Sequence, residues 1–316
     1  MRRPYHYAKL FLSWISPDVF MTTYPFFCRY CVRKSNPLRT ADELLYALLR
    51  RLKGNTRTIL FLYDLPIEQA VAMGRFHLCD EKSYQLEHRI LQCFDILCVF
   101  NRRTRTVISE RYGIPSERFV EFELPDYGIA PSFRERRKIW EGKWRVMIAG
   151  NGERRYAGEW INQLEHVDNI RYEFLGPNWD WLSKTGRSDV TYRFLKSRQN
   201  LCDYMHVNAD FGIIAYSESM SRYFEYACPS KFGAYVAAGL PILVSSDCTY
   251  PAHLAKKHGI GLVFYSYKQL PEMIGRLSES EYDIMRDRCL RLADKICNGF
   301  YLKRAVSESL HKLKTM

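Results

Sequence analysis

"RVMIAGNGERRYAGEW", residues 145–160, reads as a strand that runs through a glycine-bearing turn into a helix. The apolar run Val146, Met147, Ile148 and Ala149 suits a strand of a parallel sheet, where both faces are covered. Gly150, Asn151 and Gly152 follow, then Glu153 and Arg154. A turn of this kind at a helix N-terminus presents unpaired backbone N–H groups, a ready site for an anion. Arg154 would add a forked cationic donor beside them. The plainer alternative is a tight strand-to-helix turn with a solvated arginine. The glycines also begin a dinucleotide fingerprint, but Arg155 stands where its third glycine belongs, which argues against an NAD-dependent dehydrogenase.

Outward from this stretch, the same alternation continues. "IRYEFLG", "FGIIAYS", "PILVSS" and "IGLVFY" are further strand candidates, and a helical tail opens on a capping box of Ser278 and Glu281. Upstream, "DVFMTTY", "TILFLYD", "DILCVF" and "RFVEFEL" read as strands. Between them lie a helix opened by a Thr40–Glu43 capping box and stopped by Gly54, a helix from about Asp80, and a basic helix ending at Gly113. The pattern lapses from Pro125 to Lys143 in a stretch rich in proline, glycine and charge. This predicts an α/β fold of two Rossmann-like halves, residues 1–130 and 143–316, with residues 131–142 as linker.

A second stretch, "YACPSKFGAYVAAGLPILVSSD" at residues 226–247, sharpens the reading. Pro229 and Ser230 open a helix, Gly239 and Pro241 close it, and a β-branched strand follows. Lys231 falls in the first turn, where the helix dipole is already positive and a carboxylate would be the better choice. Ligands of open parallel sheets bind outside the carboxyl ends of the strands, and Arg154 and Lys231 both lie on segments that enter helices after strands. Two cations and two helix N-termini on one rim repel unless an anion such as a diphosphate completes the site. An exposed lysine whose stem points away from the dipole is the alternative.

Composition narrows the partner without naming it. The chain has 316 residues, 47% hydrophobic and 26% charged, as expected of a packed globular protein with room for two domains. Its net charge of +12 predicts attraction to nucleic acid, a membrane surface or a phosphorylated small molecule. The basic residues are spread along the chain and no nucleic-acid recognition motif appears, so no nucleic acid is expected. The ten cysteines sit mostly in apolar segments and read as reduced buried thiols; Cys28 and Cys31 form one CxxC with no second pair, a weak basis for zinc. No apolar run approaches a bilayer span, and the N-terminus lacks a secretory cleavage pattern, so a cytoplasmic location is the expectation. The basic, aromatic start (Arg2, Arg3, Tyr5, Tyr7, Lys9, Phe11, Trp14) suits either a first helix packed on the domain or a peripheral contact with an anionic membrane face.

Five words of the second half carry a resemblance: "IAGNGERRYAGEW", "YACPSKFGAYVAAGLPILV", "GIGLVF", "LSESEYDIMRDRC" and "NGFYLKRAVSESL". They look like the C-terminal half of a bacterial glycosyltransferase group that includes the glucosyltransferases of serine-rich adhesins. The group is also similar to bacterial β-1,6-galactofuranosyltransferases of surface-polysaccharide synthesis. The first half is similar more loosely, through "TILFLYDLPIEQ", "GRFHLCDEKSY" and "YGIPSERFVEFELPDY", so the resemblance runs from about Asp18 onward.

That resemblance implies a GT-B architecture, two Rossmann-like domains facing across a cleft. It also implies a UDP-sugar donor held mainly by the second domain, with no cofactor beyond it. Arg154 and Lys231 match the family's diphosphate-binding cations; Tyr226 and Ser230 flank the lysine within reach of ribose or phosphate. The acceptor implied is a glycan, a glycoprotein or a lipid-linked sugar, and a homo-oligomer is expected by the same analogy. The family's first β–α unit is expected to be missing or replaced by "MRRPYHYAKLFLSWI". A non-catalytic GT-B-like subunit is therefore the competing reading, with a nucleic-acid binder behind it.

For chemistry, no carboxylate pair of DxD type sits in a convincing loop, which predicts metal independence, with cations and helix N-termini stabilising the departing diphosphate. Asp64, after the strand "TILFLY", and His77, in "GRFHLCD", are the candidate catalytic residues, each with a structural alternative as a turn or surface residue. Glu218 and Glu225 are seven positions apart, one short of the spacing in many retaining enzymes, so they are not assigned that role.

Overall fold

Among the described residues, four short strands and six more make two separate parallel sheets. The computed structural model describes residues 18–24, 37–52, 54, 56–132, 143–152 and 161–316. Within it the chain divides into one unit of Met1–Glu123 with Leu302–Met316, and a second of Leu124–Tyr301.

In the first unit, β1 (Val19–Tyr24), β2 (Arg57–Leu62), β3 (Ile96–Val99) and β4 (Phe119–Glu121) pair in chain order, all parallel. The connections are helical: α1 (Pro37–Leu52), α2 (Pro66–Ala72), α3 (Glu81–Gln92) and α4 (Arg102–Tyr112). Their ends are chemically specified. The Asp80 carboxylate accepts from Ser83 N–H and the Asn101 amide oxygen from Thr104 N–H, each filling an N-cap. Gly113 closes α4 in the left-handed region, at φ 61°. The expected capping box at Thr40 and Glu43 is corrected: α1 begins at Pro37, whose fixed φ suits a first helical position, so Thr40 lies inside the first turn.

The second unit contains β5 (Trp144–Ala149), β6 (Ile170–Leu175), β7 (Val190–Arg193), β8 (Phe211–Ile214), β9 (Ile242–Ser245) and β10 (Gly261–Phe264). Their spatial order is β10-β9-β8-β5-β6-β7, the doubly wound order of a Rossmann sheet. Its helices are α5 (Arg198–Asn208), α6 (Glu218–Tyr223), α7 (Ser230–Ala237), α8 (Thr249–His258), α9 (Leu270–Gly275) and α10 (Glu279–Cys297). Strand β7 was not foreseen; it is a mostly exposed edge strand, with too little apolar content to stand out. The capping box of Ser278 and Glu281 at the start of α10 forms as expected.

The division falls elsewhere than at residues 130 and 143, and hydrogen bonds explain why. Tyr127 N–H donates to Ile296 O at 3.0 Å, the Cys297 thiol to Ile129 O at 3.0 Å, and Ser132 N–H to the Asp203 carboxylate at 2.6 Å. These hold residues 124–132 on the second unit. At the other end, α11 (Phe300–Thr315) rejoins the first unit: Lys312 Nζ donates to Phe119 O at 2.7 Å, and Ser309 Oγ lies 3.3 Å from Cys98 Sγ. Leu302–Met316 therefore belong to the first domain rather than the second.

Candidate nucleotide-diphosphate site

The chain order of the second sheet reverses between β5 and β8, which are neighbours. At such a switch point the connections leave in opposite directions, and a crevice opens beyond the carboxyl ends of the strands. Gly150, Asn151 and Gly152 follow β5 directly; Ser230 and Lys231 open α7, the helix that leads from the β8 side into β9. The structure thus sets both segments on one rim of one sheet.

The turn after β5 is tightly built. Trp179 Nε1 donates to Gly150 O at 2.9 Å and Trp181 Nε1 to Gly152 O at 2.6 Å. Asn178 Nδ2 donates to Asn151 Oδ1 at 2.8 Å. A Cβ at Gly152 would meet the Trp179 ring at 2.3 Å, so only glycine fits there. One expectation changes: the N–H groups of Gly150 and Gly152 do not point outward but donate to Leu175 O and Pro177 O, both at 2.9 Å. The turn is a fixed shoulder, and an anion here has to draw on other donors. Arg154 lies outside the described residues, as do Cys28, Cys31 and the basic N-terminus.

Lys231 sits in the first turn of α7, which contains no acidic residue. The residue is half-buried, while Ser230 before it is exposed. Its ammonium rests 4.0 Å from the centre of the Tyr216 ring, a cation–π contact that an aliphatic neighbour would not supply. No carboxylate pairs with it among the described residues. Burial therefore dominates and lowers its pKa to about 8, with the neighbouring Cys248 acting in the opposite sense. A desolvated, carboxylate-free ammonium at a helix N-terminus is an arrangement that an anionic ligand stabilises. Tyr226 is half-buried in the turn that precedes α7.

The remaining candidates separate. Asp64 follows β2 in the first unit, half-buried, and accepts from Gln69 Nε2 at 3.3 Å. His77 is exposed in a short turn of 3₁₀ helix, Phe76–Leu78. Glu218 is spent on an exposed i,i+4 pair with Arg222 at 2.6 Å. Tyr216, Trp179 and Trp181 were missed in the sequence. Only the alternation of the two tryptophans in "NWDW" hinted at a shared role.

A Rossmann sheet with a cationic rim, preceded in the chain by a second parallel α/β unit, defines the GT-B class of glycosyltransferase fold. Comparison with known proteins agrees. Residues 146–309 match the family described as "Glucosyltransferase 3-like, C-terminal domain", and the chain belongs to that family. A curated relative, glucosyltransferase 3 of Streptococcus parasanguinis, is 19% identical over 278 residues, covering 87% of this chain and 76% of that protein. HepE of Anabaena, solved in complex with UDP-glucose, superposes with a TM-score of 0.60 at 9% identity, covering 99% of this chain and 82% of its own. The crystal structure of accessory secretory proteins 1, 2 and 3 of Streptococcus pneumoniae gives a TM-score of 0.58 at 10% identity. This match covers 98% of the present chain but only 56% of the pneumococcal one, so the chain spans about half the length of that neighbour. No helix among the described residues is long and apolar enough to cross a membrane.

Proposed function

We propose that the chain transfers a hexosyl unit from a UDP-sugar to a glycan, glycoprotein or lipid-linked acceptor. The observation that carries this reading is Lys231: a half-buried ammonium over an aromatic ring, with no carboxylate partner among the described residues, on the rim of a Rossmann switch point. Glycosyl transfer needs the departing diphosphate stabilised as its charge develops, and a preorganised cation at a helix N-terminus supplies that without reorganising during the reaction. Arg154 is proposed as the second cation on the same diphosphate. Asp64 and His77 remain proposed for the acceptor side, Asp64 as base for the attacking hydroxyl. The donor complex of HepE supports UDP as the nucleotide to try first. A non-catalytic GT-B-like subunit of a glycosylation complex is the second reading, favoured by the likeness to a protein solved among accessory secretory proteins.

The test is a thermal-shift titration with UDP, followed by assay of UDP release from UDP-glucose, UDP-galactose and UDP-galactofuranose. UDP is expected to raise the Tm of the wild type but not that of Lys231→Ala. An unchanged Tm at saturating UDP sinks the donor-site reading. UDP binding with no UDP release in the presence of any acceptor favours the subunit reading.

A further inference from the structure

Strands β5 and β8 pair through Val146↔Phe211 and Met147↔Gly212, and their pairing stops there. Both strands continue upward on their other sides, β5 against β6 as far as Ala149 and β8 against β9 as far as Ile214. In this register the next rung would join Ala149 N–H to Ile213 C=O. A side chain occupies that rung. The hydroxyl of Tyr235 accepts from Ala149 N–H at 2.8 Å and donates to Ile213 O at 3.1 Å. The ring is fully buried, and room for it exists because position 212 is glycine: a Cβ there would lie 2.3 Å from the ring. Two strands bridged through a hydroxyl stand farther apart than two strands bonded directly, so Tyr235 holds the fork of the switch point open.

Tyr235 is also one helical turn beyond Lys231 on α7. One short helix thus carries both the cation of the rim and the pin that ties this helix to the end of β5, where the Gly150–Gly152 turn begins. We propose that Tyr235 is a positioning residue for the diphosphate site. Its hydroxyl sets the fork between β5 and β8 and fixes the distance of Lys231 from the turn after β5. This rests on the donor-site reading given above. It adds a residue that touches no ligand, yet decides how well a diphosphate is distinguished from a monophosphate, since the second phosphate must reach both segments at once.

The experiment is calorimetric titration of the full chain with UDP and UMP, for the wild type and for Tyr235→Phe, which keeps the ring and removes the pin. The UDP-to-UMP affinity ratio is expected to fall about tenfold in the variant, a coupling of ordinary size. A purely structural tyrosine would weaken both ligands by the same factor, and that result overturns the proposal. If the variant does not fold, hydrogen exchange of the Ala149 amide in the wild type decides instead. The amide is expected to exchange more slowly with UDP bound than with UMP bound; equal rates overturn the pin. A wild type that binds neither nucleotide overturns the donor reading and this inference with it.

Discussion

Glu87 in the first unit and Lys231 in the second are both ionisable side chains drawn out of water, and their surroundings are opposite. In the first unit Glu87 is 3% exposed on α3; its Oε1 accepts from the Tyr112 hydroxyl at 3.0 Å, and its Oε2 has no hydrogen-bond partner among the described residues. Burial, reinforced by the nearby Glu68, raises its pKa to about 8. Glu68 in turn pairs with Arg111, and His88 stacks on Tyr112 at 5.5 Å, so the group is enclosed by α2, α3 and α4. In the second unit Lys231 is only half-buried, at the carboxyl edge of a sheet, beside a ring rather than a counter-ion. A perturbed pKa alone marks neither as functional. What separates them is position: Glu87 is buried among helices, whereas Lys231 stands at the carboxyl edge of a Rossmann sheet, the edge where such sheets take ligands.

The comparison can be broken most forcefully at Glu87. Below pH 4.5 its carboxyl is protonated in both folded and unfolded chains. Between 4.5 and about 8 the folded state keeps a proton that the unfolded chain has released, so stability falls as pH rises through that window. Asp42, bonded by the Tyr24 hydroxyl at 3.0 Å and raised to about 6, adds the same sign at lower pH. Glu87→Gln is expected to gain on the order of 3 kcal/mol at pH 7 and to flatten the fall in Tm between pH 5 and 8. A variant with the wild-type pH slope would show that the carboxyl is paired. Next in size, Lys231→Ala should lose about 100-fold in UDP affinity by calorimetry, a charge-assisted contact, with its Tm equal to or above that of the wild type. A large drop in Tm would make Lys231 structural, like Glu87.

A smaller effect sharpens the same contrast. The Lys231 amine is charged below about pH 8 and neutral above it, so UDP affinity should fall by up to about tenfold from pH 8 to 9, while Lys231→Ala shows no such slope. Equal slopes in both proteins would assign the titration elsewhere. Last comes Glu218→Gln, which breaks only an exposed pair with Arg222. It should move stability by less than about 0.5 kcal/mol and leave UDP affinity unchanged; a lost activity would restore the carboxylate role declined from its spacing.

Much of the fold was readable because the strands obey burial. "TILFLYD" and "PILVSS" announce covered parallel strands by their apolar runs, and Asp80, Asn101 and Ser278 announce helix starts by their side-chain oxygens. Lys231 was legible as an anomaly, a cation where a dipole disfavours one. The commitments of backbone were not. That Gly150 and Gly152 spend their N–H groups on the β6 loop depends on residues some 25 positions away, as does the seating of Trp179 and Trp181 on the same turn. Tyr235 looked like one more aromatic in an apolar helix. Its role appears only when two strands distant in sequence are seen to part around it.

The return of α11 bears on how the protein is made. Because Leu302–Met316 belong with Met1–Glu123, the intervening residues 124–301 are spliced into the first domain and anchored to it at two points of the chain. A ribosome releasing the polypeptide in order can finish the inserted domain before Leu302–Met316, which the host domain needs, have emerged. Cys98 and the carbonyl of Phe119 wait for Ser309 and Lys312 until residues 124–301 have been made. Deleting Leu302–Met316 would leave the inserted domain whole and the one begun first unfinished.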